Sequence, residues 1–197
     1  MNVIRPVLIQ NKVCTHTVIS QTVQLRYAAD ADTRFVLLTL LSRHAVIKGL
    51  ILELCNKSIY HRHMDTAEVA DINLKVARWA NETDHAFESS SDASANMNHF
   101  HQAMLNVLRQ ESVIALNRPI LTVSKDGPDY NAALQACISA SRAIIRTLSG
   151  QIQLHELEGN AKTPLVWPSF TWATWMSAFI VIYAANEGEI PLPVAIS

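Results

Sequence analysis

Residues Asp129–Gly150 read DYNAALQACISASRAIIRTLSG, and this stretch decides the fold class. Apolar and small residues recur there every three or four positions, which is typical of an amphipathic helix. The predicted buried stripe is Tyr130, Leu134, Cys137, Ser141, Ile145 and Leu148, and the predicted outer positions are Gln135, Ser139, Arg142 and Arg146. Asp129 is expected to cap the start of this helix, and Gly150 is expected to end it in a left-handed conformation.

The segment before it predicts another helix, beginning at about Asn98. One side of this helix would carry Phe100, Met104, Val107, Leu108, Ile114 and Ala115. The helix is expected to end near Asn117, because Pro119 disfavours helical backbone at the residue before it. The following KDGPDY is a turn that connects the two helices.

Two further helices are predicted earlier in the chain. Residues 32–60 are apolar on nearly every face, which indicates a central, buried helix with Asp32 or Thr33 as its cap. In residues 65–82 the stripe is Val69, Ile72, Val76 and Trp79. A polar loop is expected at about 88–98. Residues 1–30 have the β-branched content of a strand, but no second strand exists to pair with it, which favours a helix.

The uncharged run between Lys162 and Glu187 raises the question of membrane insertion. A helix between Ser169 and Asn186 would have about 16 residues and a length of roughly 24 Å. A hydrocarbon core is about 30 Å thick, and no cluster of Lys or Arg flanks the run. We therefore predict a buried core helix and no membrane contact. An exposed apolar surface for another subunit or chain segment is the alternative.

Composition agrees with a single all-α domain over residues 1–197, a compact multi-helix bundle within a larger all-helical domain. Only five glycines occur, which disfavours turn-rich β folds, and charged residues are only 17% of the chain. A low charge content with 49% hydrophobic residues indicates that much of the surface is covered, either by a partner or by missing chain. The net charge of -1 provides no electrostatic footprint for nucleic acid. Three scattered cysteines suit a reducing compartment.

No catalytic, cofactor-binding or metal site is predicted in this chain. His61 and His63, with Cys55 upstream, and the pair His99 and His101 are the metal candidates considered. Residues two apart on a helix point to nearly opposite sides and cannot share a metal, whereas in an extended segment they could. Solvated histidines are the preferred interpretation. The acidic pairs Asp30/Asp32 and Glu82/Asp84 lie at apparent helix ends, where capping explains them. Motifs for phosphate loops and nucleophile elbows are absent, and the chain is predicted not to be an enzyme.

Two segments carry a family resemblance: VIALNRPIL (residues 113–121) and ALQACISASRAIIRTL (residues 133–148). Together they resemble the regulatory, middle homology region of fungal zinc-cluster transcription factors. The matching residues are Leu116, Arg118, Pro119 and Leu121 in the first segment, and Cys137, Ala140 and Ile144 in the second. Asn117, Ile120 and Ser141 depart from the family pattern. Val76 and Trp79 are similar to a segment of the family, with Val76 in place of its Leu, and the resemblance spans roughly residues 34–186.

The resemblance implies a non-enzymatic, nuclear domain that modulates transcription. Its expected partners are other segments of the same or a longer factor, the transcription machinery and a small effector. DNA contact and zinc would belong to the family's six-cysteine module, which these 197 residues lack. Arg118 is expected to fold back on the last carbonyls of its helix or to pair with a carboxylate, and Cys137 to be an apolar filler.

A small α-helical ligand-binding protein or enzyme is the alternative function. It would use an apolar pocket near Trp167, Trp172 and Trp175.

Overall fold

The computed structural model describes residues 34–57, 66–89, 97–123, 127–157 and 168–191. These residues form five helices and, within those ranges, no strand, so the all-α prediction is confirmed. The helices are α1 (Arg34–Lys57), α2 (Thr66–Ser89), α3 (His99–Val123), α4 (Pro128–Leu157) and α5 (Pro168–Asn186). The predictions for residues 1–33, for His61 and His63, and for most of the polar loop lie outside the described residues.

Helix α3 is the centre of the bundle. It contacts α2, α4 and α5, and hydrogen bonds join it to α1. Its buried residues occupy more than half of the helix circumference: Ala103, Met104, Leu105, Val107, Leu108, Glu111, Ser112, Ile114 and Leu116. The prediction that residues 32–60 form the central buried helix is therefore wrong. An all-apolar sequence indicates that a helix avoids water, and it does not indicate which neighbour covers each side.

Helix α1 buries one side against α2 and α3. The Trp79 indole Nε1 donates to the Leu40 carbonyl at 2.8 Å, and Lys57 Nζ lies 2.9 Å from a Glu68 carboxylate oxygen. These contacts join the start of α1 to the second half of α2, and the end of α1 to the start of α2. The two helices are therefore antiparallel. The predicted stripe on α2 is confirmed, since Ile72, Val76 and Trp79 are buried and Val69 is half-buried.

Helix α3 continues through Pro119 to Val123, so the predicted end near Asn117 is wrong. Proline has no N–H, which leaves the carbonyl four residues earlier without its helical donor. That carbonyl belongs to Ala115, and the Cys55 thiol of α1 donates to it at 3.5 Å. A tertiary contact thus replaces the lost backbone hydrogen bond. The predicted start is confirmed, because the Asn98 side chain accepts from Phe100 N–H at 3.0 Å.

Helix α4 differs from its prediction at both ends. Gly127, with φ at 136°, precedes the helix and accepts from Asn131 N–H at 3.2 Å, so Gly127 takes the capping position predicted for Asp129. Pro128 is the first helical residue, a position where its fixed φ is favourable. At the other end the helix continues through Gly150 to Leu157. On the buried stripe Ile144 replaces the predicted Ile145, which is exposed.

Helix α5 ends at Asn186, as predicted. Gly188 follows with φ at 80°, and Glu189 N–H reaches the Ala184 carbonyl at 2.9 Å. This is a left-handed glycine cap. Only one side of α5 is buried, through Phe170, Ala173, Ser177, Ile180, Val181 and Ala184. The prediction of a core helix is therefore wrong for its other side.

Among the described helices, α1 is the one long and apolar enough to cross a membrane by length and composition. Only 22% of that window is buried. The inner side of α1 nevertheless carries hydrogen-bonded polar groups, His44 and Lys48, in contact with α3. The absence of membrane contact stays a prediction.

Candidate functional site

A cavity of about 460 Å³ lies between α1, α3 and α5. Its volume is in the range of about 300–1,000 Å³ that is typical of small-molecule sites. Ile144 of α4 also contributes to its wall. The apolar lining is Ile51, Leu52, Ile114, Ala115, Pro119, Ile144, Trp172, Ala173 and Met176, and the polar lining is His44, Lys48, Cys55, Glu111, Ser112, Arg118 and Thr122.

Helix α3 presents one side to the cavity. Glu111, Ala115, Arg118 and Thr122 are spaced by four, three and four residues, which places them on the same side of a helix. Glu111 and Arg118 are seven residues apart, nearly two full turns, and therefore about 10 Å apart along the helix axis. The cavity thus has an acidic group and a basic group at different depths of one wall.

His44 lies at the inner end of the cavity and is buried. Its Nε2 is 2.9 Å from Ser112 Oγ. The Ser112 hydroxyl has one proton, which it donates to the Leu108 carbonyl at 3.0 Å. The tautomer of His44 that is protonated at Nε2 and donates to Ser112 satisfies both hydrogen bonds of this hydroxyl.

The pKa of His44 is lowered to about 4. Burial is the main cause, because it disfavours the imidazolium ion, and the nearby Lys48 ammonium adds to the effect. A hydrogen bond with the Leu108 backbone acts in the opposite direction. His44 is consequently neutral near pH 7, and its ring contacts that of Trp79 at a tilt of 45°, with the centroids 4.8 Å apart.

Glu111 is the buried charge of the site, with 7% of its surface exposed. Its Oε1 accepts from Lys48 Nζ at 2.8 Å. Its other carboxylate oxygen, Oε2, is buried and has no hydrogen-bond partner among the described residues. An unsatisfied oxygen on a buried carboxylate costs free energy, since the water that it gave up is not replaced.

Arg118 is exposed and lines the cavity. The prediction that it folds back on the last carbonyls of its own helix or pairs with a carboxylate is not confirmed. The charge of Arg118 acts on Cys55, whose pKa is raised by burial and lowered in part by the guanidinium. The net effect is a pKa above the usual value, so Cys55 is held as the thiol that donates to Ala115. Arg118 is a ligand-accessible cation.

The mouth of the cavity lies between two exposed apolar faces. The outer face of α1 carries Phe35, Leu38, Val46 and Leu52, and the outer face of α5 carries Trp172, Trp175, Phe179 and Ile182. Leu52 and Trp172 also line the cavity, so each outer face reaches its mouth. Exposed apolar side chains grouped in this way are typical of contact surfaces.

The other candidate residues lie elsewhere. Trp175 is not in the cavity lining and makes a tilted ring contact with Phe179, and Trp167 is not among the described residues. Glu82 and Asp84 form ion pairs with Arg43 and Arg109. Cys137 is fully buried, which raises its pKa to about 11 and agrees with an apolar filler. Within the described ranges, His99 and His101 included, no three His, Cys, Asp or Glu side chains form a possible metal site.

Comparison with known proteins gives one finding that bears on function. The chain has a relative described as a transcription factor. That relative is the probable transcription factor FUP6 of Fusarium proliferatum (strain ET1), which is 26% identical over 151 residues. The match covers 73% of this chain and 21% of FUP6, so the chain spans about a fifth of its relative's length. No protein-family model matches the chain, and no solved structure matches it.

Sequence reasoning missed the polar end of the cavity. A partial signal was present in the sequence, because His44 and Lys48 are among the few polar residues of the apolar segment 34–57. The association of Lys48 with Glu111 was not visible, since the two are 63 positions apart. Only the packing of α1 on α3 brings them together.

Proposed function

We propose that this chain is a non-enzymatic regulatory domain of a fungal zinc-cluster transcription factor and acts in the nucleus. The relative, a probable transcription factor, supports the general role. The finer assignment rests on the resemblance of residues 113–121 and 133–148 to the family. Three of the matching residues, Arg118, Pro119 and Ile144, lie in the wall of the same cavity. This convergence is the observation that carries the proposal.

The outer faces of α1 and α5 would bind other segments of a longer factor. One observation favours that occupant over a second copy of the chain. FUP6 is about five times as long as the matched region, so a factor of that kind has further chain to place. The outer side of α5 is also charge-free from Trp172 to Ile182, which suits burial against apolar chain. DNA and zinc would be bound by a separate module.

Regulation would follow from a shift between packed and released states of these segments. A ligand at the junction of α1, α3 and α5 changes that equilibrium only to the extent that it binds the two states differently. The cavity is suited to this role because its mouth is formed by both outer faces. Binding there would alter the surface that the rest of the factor contacts.

A reporter assay tests the proposal. The chain is inserted between an unrelated DNA-binding domain and a strong activation segment, and transcription is compared with the same fusion lacking the chain. We expect the chain to change the output by about fivefold or more, in the range of ordinary regulatory coupling. The double variant Trp175→Ala, Phe179→Ala should abolish the change, because both side chains are on the outer face of α5.

Leu74→Ala is the matched control. Leu74 is 58% exposed on α2, close to the 61% of Trp175 and 56% of Phe179, but lies on a different helix. It should leave the regulatory effect intact. Equal output from the fusions with and without the chain would overturn the proposal.

A ligand-binding protein or enzyme is the second candidate, and the cavity with Trp172 in its wall favours it. It would be preferred if the reporter is unaffected while a small molecule binds saturably to the isolated chain.

A further inference from the structure

The cavity between α1, α3 and α5 contains a polar group that no residue in the described part of the chain satisfies. Glu111 lies on the cavity wall with nine-tenths of its surface buried, and its Oε2 has no partner among the described residues. The last torsion of a glutamate side chain is soft, so a small rotation presents this oxygen to a molecule in the cavity. A hydrogen-bond donor on a ligand would replace the missing partner.

The charge around Glu111 restricts the kind of donor. Lys48 already provides an ammonium group 2.8 Å from Oε1. A second cation beside it would be repelled by Lys48, whereas a neutral hydroxyl would donate without that cost. Ser112 and His44 are occupied with each other and with Leu108, so they do not compete for the ligand's proton.

A positively charged group lies further along the same wall of the cavity. Arg118 lies on the same side of α3, about 10 Å from Glu111 along the helix axis. Its exposed guanidinium matches a carboxylate in charge and in planar geometry. Ala115 lies between the two groups on α3, and Ile51 and Met176 add apolar surface to the cavity wall.

We infer that this cavity binds an elongated molecule with a hydroxyl at its inner end, an apolar middle and a carboxylate at its outer end. The hydroxyl donates to Glu111 Oε2, and the carboxylate pairs with Arg118. The inference names the ligand class for the regulatory domain proposed above, but it concerns binding alone. It is therefore tested on the whole chain without any reporter.

The probe is ω-hydroxydecanoic acid, whose chain length is comparable to the separation of the two groups. Decanoic acid lacks the hydroxyl, and decanediol lacks the carboxylate. Binding is measured by calorimetry and by tryptophan fluorescence, since Trp172 lines the cavity. We expect the hydroxy acid to bind at least about tenfold more tightly than either comparison compound, as expected for one charge-assisted hydrogen bond or ion pair.

Substitutions of Glu111 and Arg118 test which residue binds each end of the ligand. Glu111→Met removes the acceptor and keeps a side chain of similar length, so the hydroxy acid should lose its advantage over decanoic acid. Arg118→Met should remove its advantage over decanediol. The controls are Glu82→Met, which removes an ion-paired carboxylate on α2, and Arg142→Met, which removes an exposed guanidinium on α4. Both should leave the preference unchanged.

Equal affinity of the three compounds for the unmodified chain, or no saturable binding, would overturn the inference even if Glu111→Met does not fold. Binding without a reporter effect would overturn the regulatory proposal and leave the ligand assignment intact. A reporter effect without binding would overturn the ligand assignment and leave the regulatory proposal intact.

Discussion

At the scale of single residues, two glycines have opposite effects on stability. Gly150 lies inside α4 with ordinary helical backbone, and a Cβ added there meets no atom within 4 Å. Gly188 follows α5 with φ at 80°, a conformation that L side chains rarely adopt. Compared with alanine, glycine destabilises the folded protein at position 150 and stabilises it at position 188.

We therefore predict that Gly150→Ala raises the free energy of unfolding by about 0.5–1 kcal/mol. Gly188→Ala should lower it by about 1–2 kcal/mol. Urea denaturation of the two variants measures both effects. A loss of stability in Gly150→Ala would mean that residue 150 leaves the helical conformation.

Gly150 also explains why the predicted end of α4 was wrong. Glycine favours helix ends, but its penalty inside a helix is only about 1 kcal/mol relative to alanine. The residues after Gly150 continue the helix to Leu157, and that segment outweighs a penalty of this size. Position 150 was therefore undecidable from residue type alone, whereas Cys137 was predictable because burial of a small apolar thiol needs no specific partner.

At the scale of elements, α4 and α5 each bury a small polar residue. Ser141 of α4 and Ser177 of α5 are fully buried, and neither hydroxyl has a hydrogen-bond partner among the described residues. Small side chains let the helices approach closely, but a buried hydroxyl without a partner carries a desolvation cost. Alanine would keep the close approach and remove that cost.

We expect Ser141→Ala or Ser177→Ala to raise the free energy of unfolding by up to about 1 kcal/mol. Ser112→Ala should instead lower it by about 1–3 kcal/mol, because His44 loses its acceptor at 2.9 Å. Thermal denaturation distinguishes the two classes. Lower melting temperatures for the Ser141 and Ser177 variants would indicate that those hydroxyls are hydrogen-bonded, for example by a buried water.

The ends and faces of the helices were predicted with unequal success. The start of α3 at Asn98 was predictable because a side-chain cap is a local interaction. Its end was not, since the carbonyl freed by Pro119 accepts from Cys55 on another helix. The outer side of α5 was also missed, because apolar composition predicts burial whether or not the chain contains a partner.

At the scale of the whole molecule, His44 links stability to pH. Its pKa is about 4 in the folded protein and 6.5 in the unfolded chain. Between these values the unfolded state binds the additional proton, so stability is complete above about pH 6.5 and falls as the pH falls toward 4. The loss is at most roughly 3 kcal/mol from this group.

His44→Gln removes the titration and keeps an amide donor for Ser112. The difference in unfolding free energy between the unmodified chain and this variant should therefore shrink or reverse from pH 7 to pH 5. Carboxylates elsewhere titrate in both proteins and cancel in the difference. A difference that is constant over this range would show that the folded protein leaves the pKa of His44 at its ordinary value.

The sequence by itself determined that the described chain is helical, and it determined the inner faces of α2 and most of α4. Those features depend on the periodicity of side chains along a single helix, which local backbone geometry sets. Tertiary structure alone decided that α3 is central, that α1 and α5 keep apolar faces exposed, and that Lys48 meets Glu111. These features depend on contacts between segments far apart in the chain, and no local pattern records which segments will meet.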